Sequence, residues 1–233
     1  MTWGRPQFTV HKFGLNLAVP TNAYETVWSG SNLYDGWLAA EEAVDLVSAN
    51  AGDTGDVDVQ GLNGGALQSE VVTMTGDTPK RIAKEYSRIF RMRYLDADTL
   101  GAITATSVTT SKVMARIEIG ATTNGSPNQT QMAIYTVPAG FNGYVQEIRA
   151  STFGNINGMF VGLWARAPLE TAWQQKHLMY IRGAGTSALA EHFGHEVTDG
   201  LMFPAGTDLE LRALSETNPG PIAGTFEITM RAA

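Results

Sequence analysis

Five groups of residues have the chemical types that could act on something, and their spacing decides what each can be. The phrase H-F-G-H-E, His192 to Glu196, sets two imidazoles and a carboxylate together. A helical zinc site needs its two histidines four apart on one face, with the glutamate beside the first. Here the spacing is three, Gly194 intervenes, and on a strand the two rings point to opposite faces. Surface histidines are the expectation. D-T-G-D-V-D, Asp53 to Asp58, resembles the start of a calcium loop but lacks the remaining ligand positions and the closing glutamate. A turn entering a strand accounts for it. The paired carboxylates Glu41 with Glu42 and Asp96 with Asp98 have nothing that sets one opposite the other across a glycosidic bond. Neither G-x-S-x-G nor a phosphate-cradling glycine loop occurs. No catalytic residue, cofactor-binding residue or metal ligand is assigned, and the chain is not expected to be an enzyme.

Two groups remain. Lys80, Arg81, Lys84, Arg88, Arg91 and Arg93 form a basic run in a chain whose net charge is -7. Phosphate neutralisation over a nucleic-acid footprint needs a broadly basic protein, so no direct nucleic-acid partner is expected. Arg81, Lys84, Arg88 and Arg91 are read instead as contacts to acidic surfaces of neighbouring subunits, where arginine is favoured. Trp164 and Trp173, with Tyr180, are rings that on an exposed sheet face could stack on sugars, as in a lectin-like module. Core packing or subunit contact is the preferred reading of them.

The elements that must position these groups are strands. The 233 residues are 43% hydrophobic and only 17% charged, with 25 glycines and no cysteine. Disulfides and thiolate metal sites are excluded. No long apolar run suggests a signal peptide or a membrane span, so a soluble, cytoplasmically made chain is expected. From Ala43 onward the hydrophobic period is two. Val57 and Val59 alternate with Asp56, Asp58 and Gln60; Val113, Ala115, Ile117 and Ile119 alternate with Met114, Arg116 and Glu118. Met159, Val161, Leu163 and Ala165 share one face, as do Leu209, Leu211 and Ala213, and Phe226, Ile228 and Met230. Residues 78–95 carry both signals: Thr78-Pro79 reads as a helix start, whereas Phe90, Met92 and Tyr94 alternate with Arg91 and Arg93. A strand is expected over 86–95 and a loop or short helix over 78–85.

Residues 1–36 show no lasting period yet hold many aromatic rings, and read as an extended N-terminal arm. Trp3, Phe8 and Phe13 are its expected anchors on a neighbouring subunit. The Gly/Thr/Asn-rich stretch G-A-T-T-N-G-S-P-N-Q-T-Q, 120–131, reads as a domain boundary. The expected organisation is an all-β chain with an arm over 1–36, a first β-sandwich unit over 37–120 and a second, jelly-roll-like unit over 121–233. The phrase V-P-A-G at Val137 to Gly140 returns as F-P-A-G at Phe203 to Gly206, followed by E-I-R-A (147–150) and E-L-R-A (210–213). Each P-A-G is expected to be a type I turn with a left-handed glycine, closing a hairpin. Met132 to Val137 would then pair with Tyr144 to Ala150, and Leu201 to Phe203 with Asp208 to Leu214. The outward Glu147, Arg149, Glu210 and Arg212 become candidates for subunit contacts.

The phrases W-S-G-S-N-L-Y-D-G-W (28–37), M-A-I-Y-T-V-P-A-G-F-N-G-Y (132–144) and F-P-A-G-T-D-L-E-L-R-A (203–213) resemble head-associated structural proteins of tailed, podovirus-like and marine bacteriophages. That resemblance implies a capsid decoration (cement) protein, often trimeric, that binds the major capsid protein on the virion surface. It brings no catalytic residue with it. The expected alternatives are a head-to-tail connector or tail-associated virion protein, and a carbohydrate-binding host-attachment module. A homo-oligomer, with a trimer favoured and no membrane partner, is expected in the first case.

Overall fold

The computed structural model describes residues 7–96, 101–119, 128–153, 158–182, 189–194 (backbone alone) and 201–233. Its strands, in chain order, begin with β1 (Gln7–Val19), β2 (Glu25–Thr26), β3 (Val44–Ser48), β4 (Asp56–Asn63), β5 (Ala66–Thr73) and β6 (Lys80–Arg81). There follow β7 (Arg88–Tyr94), β8 (Ile103–Ser107), β9 (Val113–Ile117), β10 (Ile134–Thr136), β11 (Phe141–Thr152) and β12 (Gly158–Arg166). The chain ends with β13 (Gln174–Arg182), β14 (Leu189–Gly194), β15 (Leu201–Phe203), β16 (Asp208–Ser215) and β17 (Gly220–Ala232). Every pairing among them is antiparallel. No helix occurs among the described residues.

The chain divides into two compact units, one made of residues 1–34 with 133–233 and the other of residues 35–132. In the first unit, one sheet has the order β1-β17-β11-β14, with β15 also on β11; the other has the order β10-β16-β12-β13, with β2 also on β16. The alternating residues explain their faces. Met159, Val161, Leu163 and Ala165 of β12, and Leu209, Leu211 and Ala213 of β16, are buried, as are Phe226, Ile228 and Met230 of β17. A one-residue slip would turn each of these sets to the wrong face, so their alternation also holds the register. Each of the Val, Leu, Ile, Phe and Met side chains among them contributes roughly 1.5–3 kcal/mol on leaving water. In the second unit, β6-β3-β8-β9 form one sheet and β5-β4-β7 another. Val44, Leu46, Val57, Val59, Ile89 and Met92 fill its core.

The expected architecture of two sandwich or jelly-roll-like units in series behind an arm is corrected. Residues 7–19 are no arm: they pair with β17 over ten consecutive positions, from Gln7↔Arg231 to Asn16↔Ile222. The first segment of the chain joins the last in one unit, and the second break falls after residue 132. The described strands form four antiparallel sheets of three to five strands, which is the sheet count of a four-bladed β-propeller. The two larger sheets interleave strands from distant parts of the chain, where a regular blade takes consecutive ones. No helix starts at Thr78; β6 and β7 occupy that region, so the alternation of Phe90, Met92 and Tyr94 outweighs the capping signal.

The P-A-G turns differ from expectation too. Gly140 and Gly206 do have left-handed backbones, at φ 80° and 81°. But Phe141 N–H donates to Pro138 O and Thr207 N–H to Pro204 O, so each proline opens its turn and each glycine sits third, the position that calls for glycine in a type II turn. Neither turn closes a hairpin. β10 pairs with β16 and β15 with β11, so each P-A-G carries the chain from one sheet of its unit to the other. The two turns are also bonded to each other, Val137 N–H to Thr207 O at 3.0 Å and Gly206 N–H to Val137 O at 2.7 Å.

Candidate functional site

The structure gathers one cluster of charged and aromatic groups on the sheet of β10, β16, β12 and β13. Strand alternation places Asp208, Glu210 and Arg212 of β16 on one face, and register sets Trp164 of β12 opposite Glu210 and Arg166 opposite Asp208. Gly162 faces Arg212, and a side chain there would meet Gln175 Nε2 at 2.9 Å and Trp164 Nε1 at 3.2 Å. Its bareness lets the indole lie close to the strand. The turn between β12 and β13 brings in Trp173. The Arg212 guanidinium then lies between two indoles, 4.7 Å from the Trp164 ring centroid and 4.8 Å from that of Trp173. Arg166 covers Trp173 at 5.0 Å, and Tyr24 meets Trp164 edge to face at 5.5 Å. Cation–π contacts of this kind are worth about 0.5–2 kcal/mol each, more as water is excluded.

Beneath the rings, both carboxylates are buried and bonded. Glu210 accepts from Arg212 Nε at 2.6 Å and from Thr26 Oγ1 at 2.7 Å. Asp208 accepts from Thr136 Oγ1 at 2.6 Å and Arg166 Nη2 at 2.7 Å. Desolvation pushes the Glu210 carboxyl above its ordinary range, opposed by Arg212, by the Thr26 hydrogen bond and by Arg166. Burial likewise raises the Tyr24 phenol. Breaking such a buried pair on one side leaves an uncompensated charge. The acids therefore serve to hold the arginines, and the arginines to hold the indoles. Trp164 and Trp173 remain half-buried in the cluster, and the Arg166 and Arg212 side chains are 24% and 11% exposed.

The other candidates lie elsewhere. Trp3 is outside the described residues. Phe8 packs edge to face on Phe141 at 5.2 Å, and Phe13 is half-buried in β1 opposite Thr225. The basic run is dispersed among its own neighbours. Arg81 bonds Asp45 at 2.5 Å, Lys84 Nζ bonds Ser69 O at 2.6 Å, Arg88 bonds Leu38 O at 2.6 Å, and Arg91 bonds Gln129 at 2.9 Å. Asp53 is buried and accepts from Ser48 Oγ and Gly101 N; Asp56 accepts from Thr73. Glu41 and Glu42 accept from Gly64 N and Thr110 N. Among the described residues no group of three metal-ligating side chains comes together. The backbone of His192 lies on β14 opposite Arg149, while its side chain and residues 195–196 fall outside what is described. Tyr180 packs instead at a tilt on Phe160, with ring centroids 4.9 Å apart, and bonds Glu216 at 2.6 Å.

Half of this site was visible in sequence. Trp164 and Trp173 stand out in the sequence together with Tyr180, but Arg166 does not. Glu210 and Arg212, expected as outward subunit contacts, are in fact turned into the cluster, with side chains 0% and 11% exposed. The signal existed, because W-x-R at 164–166 and E-x-R at 210–212 place each pair on one strand face. Only the β12–β16 register joins the two phrases.

No family model matches the chain, and no curated protein matches it. Solved structures that align with it include the cowpea mosaic virus top component, described as naturally occurring empty particles (10% identity, 83% of this chain and 82% of that one, TM-score 0.22). An empty virus-like particle of the same virus aligns at 10% identity, over 83% and 79% of the chains, with TM-score 0.21. Infectious bursal disease virus, Gx strain, aligns at 9% identity, over 98% and 76%, with TM-score 0.19. These likenesses are too slight to carry an argument. The resemblance to phage head-associated decoration proteins is corrected by the fold: the described strands form four antiparallel sheets with the sheet count of a β-propeller, not the sandwich or jelly-roll units expected of such a protein. The shell-clamping role assigned through it also falls, since the free arm and the serial sandwich units on which it relied are replaced by the β1–β17 pairing and four sheets.

Proposed function

We propose that the chain is a carbohydrate-binding module of the host-attachment kind, with the Trp164–Trp173 face as its ligand surface. The observation that carries this reading is the sandwich of Arg212 between the two indoles, anchored by the 0% exposed Glu210. A sugar ring has an apolar C–H face that suits the negative face of an indole, and hydroxyls that suit guanidinium edges. Rings already held against salt-bridged arginines lose little freedom when a ligand arrives, which favours binding. The reading is non-catalytic, because each nearby carboxylate is buried and engaged by an arginine and a threonine. Display of several copies on a particle surface goes with this proposal, since avidity raises the affinity of a shallow site. The test is a glycan array probed with wild-type protein and with Trp164→Ala and Trp173→Ala. Saccharide binding by the wild type and its loss in both variants, with folding intact by near-UV circular dichroism, is expected. Absence of any saccharide binding by the wild type would remove the reading.

A further inference from the structure

The turn between β12 and β13 carries the most exposed apolar side chain among the described residues. Glu170 N–H donates to Ala167 O at 3.1 Å, closing a four-residue turn with Pro168 second and Leu169 third. Leu169 has φ 72° and its side chain is fully exposed. This third position of a type II turn ordinarily takes glycine, because a β-carbon is strained there. The chain thus holds a leucine in an unfavourable backbone region and also leaves it in water. Two separate costs at one residue point to a contact that the isolated chain does not make.

Beside the turn lies a groove of about 270 Å³ lined by Ala165, Ala167, Leu201, Phe203 and Pro204, with Met202 half exposed at its edge. Its charged lining is one Glu170 and one Lys176, both now bonded through Gln174. Knob and groove therefore share one surface and carry one charge of each sign. A two-fold axis beside them would place Leu169 of each copy in the groove of the other and set Glu170 against Lys176 reciprocally, the self-complementary pattern of an isologous contact.

We infer that this face is a dimer contact whose partner is a second copy of the chain, with Leu169 as the knob. The inference is independent of the saccharide reading, since Trp164, Trp173 and Arg212 take no part in it.

Sedimentation velocity across a concentration series, paired with thermal unfolding, tests it. The wild type should associate to a dimer as concentration rises. Leu169→Gly should remain monomeric while its Tm is unchanged or raised, because glycine relieves the strain at that φ. Glu170→Lys and Lys176→Glu should each weaken the dimer, and the double exchange should restore it. A wild type that stays monomeric at the highest concentration reached overturns the inference. So does a trimer, or any assembly that Leu169→Gly leaves unchanged.

Discussion

The phrase E-x-R-A occurs twice, and its two copies have nearly the same local geometry in opposite surroundings. In β11, Arg149 Nε bonds Glu147 Oε1 at 2.5 Å; in β16, Arg212 Nε bonds Glu210 Oε1 at 2.6 Å. The side chains of the first pair are 61% and 22% exposed, those of the second 11% and 0%. The i, i+2 spacing on a strand makes the ion pair in both cases. What differs lies across the sheet. Near Glu210 stand Trp164, Trp173, Tyr24 and Thr26, which exclude water. Glu147 instead faces Glu227 in the neighbouring strand, and Glu227 bonds His11 at 3.2 Å. One spelling thus yields a solvated surface pair and a buried clamp, and only the clamp orients anything.

The largest test of that difference is to remove each arginine. Arg212→Ala should cost about 3–5 kcal/mol in urea unfolding, because Glu210 is left buried without its cation. Arg149→Ala should leave the midpoint within measurement error, as exposed pairs do. Equal losses would break the comparison. A smaller effect separates the turns that precede the two phrases. Gly206→Ala and Gly140→Ala should each cost about 1–2 kcal/mol for a left-handed alanine. Gly206→Ala should be the worse, since its β-carbon would lie 3.0 Å from Pro168 Cγ whereas that of Gly140 meets open space. The reverse order would show that backbone strain alone sets the cost.

The smallest effect is in pH. The folded-state pKa of Glu210 is raised by desolvation, so its contribution to stability is fully present below the unfolded-state pKa, about 4.3, and is lost as pH rises through the higher folded value. Glu210→Gln removes that proton equilibrium. The stability of the wild type minus that of Glu210→Gln should therefore fall on going from acid to neutral pH, measured by urea unfolding at both. A difference that grows with pH would mean that Arg212 and the Thr26 hydrogen bond outweigh desolvation.

How far the sequence reaches can be judged on the same residues. The strand faces of β16 and β17 are legible because apolar and polar residues alternate over Asp208–Ala213 and Phe226–Arg231, whereas β12 shows its face less cleanly, with Phe160 and Trp164 on the other side. The type of the 78–95 region was half legible, since alternation in Phe90, Met92 and Tyr94 competes with a proline that starts nothing. Pairing was not legible. V-P-A-G followed by a strand is equally compatible with a hairpin and with a crossing between sheets, because the turn sets only local backbone direction. Residues 7–19 read as an arm because their partner strand, β17, begins some 200 residues later, beyond any local signal. The site shows the same limit: W-x-R and E-x-R are local, and the register that brings them together is not.

Saccharide binding by the indole pair is the central claim, and one titration tests it most directly. An oligosaccharide selected on the array would be titrated calorimetrically into wild-type protein, Trp164→Ala and Arg149→Ala. The account predicts binding by the wild type and by Arg149→Ala, with Trp164→Ala losing at least tenfold in affinity. Undiminished binding by a folded Trp164→Ala would contradict it.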